Sequence, residues 1–214
     1  AAKSINSNIK IIGVVASGAK GMKESFEARM PIDSSSVRTI ADGIAVRDVN
    51  PKLLDIILEY VDEIVEVSDN ETANAILFLL EKHKLMVEGA GAVSVAAIMH
   101  DKVNIENKKV CAVVSGGNID VTMLSIIIEK GLIKSHRKMN LIVTLMDKPG
   151  ALMHLTDVFA QCSANIVEIG FDRNSVKLEF GEAYVNIALA TKGEEHQEQI
   201  RENLKQNGYR FKQI

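Results

Sequence analysis

Apolar residues along the chain fall either in short runs or at spacings of three and four. Ile11, Ile12, Val14 and Val15 form a run closed by Ser17-Gly18, the pattern of a buried strand in a sheet covered on both faces. A helix over residues 19–29 follows. Pro51 then opens a second helical stretch with Leu53, Leu54, Ile57, Leu58 and Val61 along one side, and residues 64–67 read as a strand. Ser68 and Glu71 have the spacing of a capping box, so a helix is expected from there to about Lys82. After Val87-Glu88-Gly89-Ala90-Gly91 a small-residue helix over 92–100 is expected. Residues 110–114 read as the most convincing buried strand, turned by Gly116-Gly117-Asn118 into a helix that ends near Gly131. This alternation predicts an α/β domain with a largely parallel sheet.

The polar run 134–138, Lys-Ser-His-Arg-Lys, suits a linker. Beyond it the pattern predicts a strand over 141–145, a turn at Asp147-Lys148-Pro149-Gly150, a helix over 151–161, strands over 165–169 and 183–190, a charged helix over 194–206 and a last strand over 209–214. The order βαββαβ is the ferredoxin-like arrangement, so two domains are expected, 1–133 and 139–214. No internal repeat is evident. Ala1-Ala2-Lys3 reads as the tail of a helix and carries no methionine, which raises the expectation that the first unit lacks its beginning.

Composition narrows the function. With 214 residues, 47% hydrophobic and 25% charged, the chain is globular in type. No apolar stretch approaches the roughly 20 residues of a membrane span, and the first residues lack the apolar core of a signal peptide, so a soluble, cytoplasmic protein is expected. Residues 139–214 carry 8 basic and 10 acidic side chains and the rest 17 and 18, so neither part has a basic face for nucleic acid. The aromatic content of 4%, with no Trp, speaks equally against base stacking. Cys111 and Cys162 lie in apolar runs and read as buried thiols rather than a disulfide or zinc site. Met139, Met146 and Met153 read as core fillers, and His154 as an ordinary helix residue. The acidic group Glu194, Glu195 and Glu198 reads as a solvated helix face. The five histidines show no paired spacing, and no metal site is expected.

Three segments carry candidate chemistry. Ser115-Gly116-Gly117-Asn118 stands where a strand meets a helix start, where open α/β sheets present ligands and free backbone N–H groups favour anions. A plain glycine turn would need no ligand. Gly89-Ala90-Gly91-Ala92-Val93-Ser94 looks like a dinucleotide fingerprint, but the charged residues before it leave no room for the βαβ unit such a site needs. A close-packed helix start with Glu88 at its N-terminal end fits better. Thr39-Ile40-Ala41-Asp42-Gly43-Ile44-Ala45-Val46 taken alone is a loop with an Asp-Gly turn.

TIADGIAV, VEGAGAVSVAA and VVSGGNID, in this order, resemble the second half of the large domain of the threonine ammonia-lyase (threonine dehydratase) family over residues 11–132. These are pyridoxal-phosphate enzymes of the tryptophan-synthase β-like fold (fold type II). Serine dehydratases and serine racemases share weaker forms of the pattern. The resemblance implies deamination of L-threonine to 2-oxobutanoate and ammonia, leading into isoleucine synthesis or threonine breakdown. It also implies that Ser115, with Gly116 beside it, donates its hydroxyl to the cofactor's pyridine nitrogen, that Gly43 approaches the ring through its backbone, and that Glu88 sits close to it. A neutral hydroxyl in that role leaves the ring a weaker electron sink than a carboxylate would, which suits β-elimination. The family's Schiff-base lysine and phosphate-holding glycine run have no counterpart in these residues, so no catalytic residue is assigned. The chain alone is expected neither to catalyse nor to retain pyridoxal phosphate. Ala16 stands where several relatives carry a carboxylate, and no divalent-cation site is expected there.

Residues 139–214 resemble an ACT domain, a small amino-acid-binding regulatory module, through DKPGAL at 147–152 and Ala164-Asn165-Ile166. The implied effector site comprises Asp147, Gly150, Ala151, Leu152, Asn165 and Ile166. Gly150 would let an α-carboxylate approach a helix N-terminus, and Asn165 would offer a donor and an acceptor. Isoleucine or valine is the implied effector, acting allosterically within a homo-oligomer. Alternatives are a stand-alone amino-acid-binding regulatory module and a serine dehydratase or racemase.

Overall fold

The computed structural model describes residues 1–214 and divides them into two compact units, Ala1–Ile127 and Ile128–Ile214.

In the first unit a short helix α1 (Ala2–Ile5) precedes strand β1 (Ile12–Ala16), helix α2 (Gly21–Ala28) and a long irregular stretch containing a single 3-10 turn at Asp42–Ile44. Helix α3 (Pro51–Tyr60) starts with proline in its first turn, and Asn50 Oδ1 accepts from the Lys52 and Leu53 amides at 3.0 and 3.4 Å. Strand β2 (Glu63–Val67) pairs parallel with β1, Ile12 opposite Glu63 through Ala16 opposite Val67. The capping box then forms as the spacing predicts: the Glu71 amide donates to Ser68 Oγ at 3.3 Å, and the Ser68 amide donates to Glu71 Oε2 at 2.7 Å. Helix α4 (Asp69–Phe78) ends in a π-helical turn, Leu79–His83. Helix α5 (Gly89–Met99) buries Gly89, Gly91, Ala92, Val93, Ala96 and Ala97. These small side chains let it lie close to α4 in a core that also takes Ala75, Ile76, Val65 and Val67.

Several expectations fail here for physical reasons. Residues 110–114 form no strand: β1 and β2 pair only with each other, and no neighbouring strand completes a ladder for this run. Val113 is 71% exposed, held by Ser94 Oγ donating to its carbonyl at 2.7 Å. Cys111 is therefore exposed rather than buried. The parallel sheet has two strands only, and β1 is half-buried, not covered on both faces. Helix α6 (Val121–Lys134) runs through Gly131 instead of ending there. Its stop lies further on, where His136 adopts φ +55° and the Arg137 amide donates to the Leu132 carbonyl at 2.8 Å.

The second unit matches its pattern closely. Strand β3 (Lys138–Met146), helix α7 (Ala151–Gln161), strands β4 (Asn165–Asp172) and β5 (Glu182–Ala190), helix α8 (Glu194–Gln206) and strand β6 (Arg210–Gln213) form an antiparallel sheet in the order β4-β5-β3-β6. This is the ferredoxin-like α+β arrangement. Met139, Leu141 and Val143 stand opposite Leu189, Ile187 and Val185, and pack with Leu155, Val158 and Phe159 of α7 and Ile200 and Leu204 of α8. Met139 and Cys162 are buried; Met146 and Met153 are exposed, so they do not fill the core. They lie where β3 and α7 run out toward the connecting turn, beyond the reach of the packed layer. His154 is exposed, as are Glu194, Glu195 and Glu198. No helix is long and apolar enough to cross a membrane.

Candidate functional site

In the first unit the three motif segments converge. The Thr39–Gly43 loop is tied to the start of α4, where Asp69 Oδ1 accepts from Thr39 Oγ1 at 2.6 Å and from the Ile40 amide at 3.1 Å. Gly89 abuts the Ile40 carbonyl, and a Cβ there would lie 2.8 Å from Ala41 Cα, so only glycine permits the approach. The carbonyl of Ser115 lies so near Gly91 that a side chain there would collide with it. The glycines of VEGAG thus serve to bring the flanking loops together, and residues 85–87 before them are not a strand.

Glu88 is the N-cap residue of α5, yet its side chain does not cap that helix. The carboxylate instead reaches the Ser115–Asn118 turn, where Oε2 accepts from the Asn118 amide at 3.1 Å, while the Glu88 amide donates to the Gly116 carbonyl at 3.4 Å. Gly116 has φ +79° and lies directly against the Glu88 side chain. A Cβ on Gly43 would stand 3.5 Å from Glu88 Oε1 and 3.0 Å from Ala90 Cβ. Gly43, Glu88, Ser115 and Gly116 therefore share one small region, with Ser115, Gly116 and Gly43 exposed and Glu88 half-buried. A carboxyl group held by a backbone amide beside an exposed serine hydroxyl offers the polar groups that fit the nitrogen-bearing end of the pyridoxal phosphate ring, and the glycines at 43 and 116 make room for Glu88 and Ala90. Asn118, whose amide fixes Glu88, is the contributor the motif reading did not single out; only its place in SGGN pointed to it.

In the second unit, Gly150 is the N-cap of α7 at φ +86°, with nothing within 4 Å of where a Cβ would project. The Ala151 amide is already taken by the Lys148 carbonyl at 3.2 Å. Ala151 and Leu152 are half-buried and pack against the core of this unit. Asn165 and Ile166 open β4, an outer strand, and both are exposed. Asp147 is paired: Arg173 Nε donates to its Oδ2 at 2.7 Å and an Arg173 terminal nitrogen to its Oδ1 at 3.3 Å. Hydrogen bonds and charge from this guanidinium hold the Asp147 carboxyl below the usual carboxylate range. The Arg173 guanidinium also lies 5.1 Å from the centre of the Phe171 ring. Arg173 belongs to no motif, and no sequence signal marks it; the hairpin after β4 brings it to Asp147 across 26 positions.

The profile of the family described as "Pyridoxal-phosphate dependent enzyme" matches residues 1–116. The L-threonine ammonia-lyase of Thermotoga maritima is 41% identical over 209 residues, 98% of this chain and 52% of its own. Among solved structures, the processed form of threonine deaminase isoform 2 from Solanum lycopersicum aligns at 31% identity and a TM-score of 0.54, over 59% of this chain and 36% of its own. Maize serine racemase aligns at 30% identity and a TM-score of 0.53, over 63% and 42%. The chain spans about half the length of the curated relatives it matches. With the motif segments gathered around Glu88 and more than half the sequence matched, the chain belongs to the pyridoxal-phosphate dependent enzymes, with a fold type II α/β unit followed by a ferredoxin-like one.

Proposed function

We propose that the chain forms the ring-binding side of a threonine ammonia-lyase that converts L-threonine to 2-oxobutanoate and ammonia. The observation that carries this reading is the convergence of Gly43, Glu88, Ser115 and Gly116 from three segments distant in sequence. Pyridoxal phosphate, when bound, supplies the electron sink that labilises the α-hydrogen of an amino acid. Ser115 offers a hydroxyl proton to the pyridine nitrogen at Oγ and, being neutral, does not hold a full proton there. Gly43 and Gly116 leave the room that Glu88 and Ala90 take up at this site. Glu88, whose carboxyl accepts from the Asn118 amide, would stand beside the ring. The family resemblance gives the removal of the α-proton and the covalent attachment of the cofactor to a lysine that has no counterpart among the residues of this chain. The chain alone is therefore inactive and does not retain the cofactor. Residues 1–133 and 139–214 divide the roles, a division a few residues beyond the Ile127/Ile128 boundary of the compact units, and the second part is an ACT-type regulatory unit that binds isoleucine or valine through Asp147, Gly150, Ala151, Leu152, Asn165 and Ile166. Two free cysteines accord with a reducing compartment such as the cytoplasm, and the assembly is a homo-oligomer.

A second reading, serine racemase or dehydratase chemistry, is favoured by the likeness to maize serine racemase. A chimera decides between them: this chain joined to the half of the Thermotoga maritima enzyme that it does not match. Once absorbance shows that the chimera holds pyridoxal phosphate, 2-oxobutanoate from L-threonine should form faster than pyruvate from L-serine. Faster pyruvate or D-serine formation overturns the threonine reading.

A further inference from the structure

The Asp147–Arg173 pair occupies the turn from which an amino-acid effector would be held, and Arg173 has no part in that reading so far. The side chains are 39% and 58% exposed, and the contact is two-pronged. An ion pair this open to solvent contributes little to folding, because water and salt screen it. It is therefore cheap to exchange. A fixed carboxylate facing a fixed guanidinium is also the mirror of an α-amino acid, whose ammonium and carboxylate are attached to the same carbon. Insertion of such a zwitterion replaces one internal pair with two charge-assisted pairs, ammonium on Asp147 and carboxylate on the fork of Arg173.

The surroundings favour an apolar side chain on that zwitterion. Phe171 stands opposite Val185 and Ile169 opposite Ile187, and directly opposed residues of an antiparallel pair share a face, so both lie on the face that carries α7. Both are nonetheless exposed, because β4 is the outer strand. The Arg173 guanidinium rests over the Phe171 ring, and its movement toward a ligand uncovers that ring.

We propose that Arg173 is the carboxylate-binding residue, and Asp147 the ammonium-binding residue, of a site for an aliphatic α-amino acid, and that the ligand enters by splitting their ion pair. This rests on the reading of the second unit as amino-acid-responsive. The test is calorimetric titration of the complete 214-residue chain with L-isoleucine, with 2-methylbutylamine, which lacks the carboxylate, and with 3-methylpentanoate, which lacks the ammonium. L-isoleucine should bind the native chain and neither analogue should. Arg173→Gln and Asp147→Asn should each weaken binding roughly tenfold or more, and Arg173→Lys less than Arg173→Gln, since the charge remains but the fork does not. Because the pair is exposed, all three variants should melt within a few degrees of the native chain. If native chain binds no aliphatic amino acid, the amino-acid-responsive reading itself fails. If it binds L-isoleucine and Arg173→Gln binds equally well, or more tightly as it would were Arg173 only a lock on Asp147, that reading stands and the role given to Arg173 falls.

Discussion

Gly116 combines a backbone conformation that disfavours any side chain with a position pressed against Glu88, and the two effects add. The left-handed φ alone costs an alanine about 1–2 kcal/mol. Gly116→Ala is expected to lower unfolding stability in urea by at least that much and to free the Asn118 amide, whose hydrogen exchange should quicken as Glu88 is pushed aside. Unchanged exchange at Asn118 would mean that Glu88 is not held as described. The cysteines make a second, independent check. Exposed Cys111 should react with an aromatic disulfide in the native chain, while Cys162, buried and with its thiol pushed up by burial, should react only on unfolding. At this scale the sequence marked the residues that the first unit brings together, because glycines at close approaches leave a motif. It could not show Arg173, whose partner is chosen by the hairpin that carries it rather than by neighbours in the chain.

Helix α4 shows how a local rule sets an element's stability. Burial pushes the Glu71 carboxyl up, but Lys102 Nζ, the Ser68 amide and Ser68 Oγ all donate to it and the Lys102 charge adds to them, so its pKa is lowered to about 2. A carboxyl whose folded pKa lies below its unfolded value stabilises the fold above the unfolded pKa and loses that contribution as pH falls. The ordinary value is 4.5, so the loss falls between about pH 4.5 and pH 2 and amounts to roughly 3 kcal/mol. Glu71→Gln should flatten that part of the acid-unfolding profile, and Ser68→Ala should cost about 1 kcal/mol at neutral pH through the lost cap. Elements defined by such short-range signals were legible: the helix start at Pro51, the Ser68 cap, and the helices α7 and α8 of the second unit. Residues 110–114 were not, because an apolar run reports a tendency to be buried and says nothing of whether a neighbouring strand exists to pair with it. Met146 and Met153 mislead for a related reason, since residue type alone does not reveal where the packed layer ends.

For the whole molecule, the two units have separate cores. A ligand that binds only the native form stabilises what it binds, by about 2.7 kcal/mol at a hundredfold excess over its dissociation constant. Saturating L-isoleucine is accordingly expected to slow amide exchange in β3, α7 and β4 while leaving β1, β2 and α5 unchanged. Equal protection of both units would show that they do not divide binding in this way. The order of elements was readable across most of the chain, and the βαββαβ order of the second unit fully so. The parallel sheet was overestimated, because its strands were counted from apolar runs rather than from pairings.

The claim on which the functional account depends is that Gly43, Glu88, Ser115 and Gly116 together receive the ring of the cofactor. Titrating the 214-residue chain with pyridoxine, which has the ring but no aldehyde to react with surface lysines, and following backbone amide resonances tests it directly. The account predicts weak, saturable shifts at Gly43, Glu88, Ser115, Gly116 and Asn118 that disappear in Ser115→Ala. Shifts centred elsewhere, or none at millimolar pyridoxine, would contradict it.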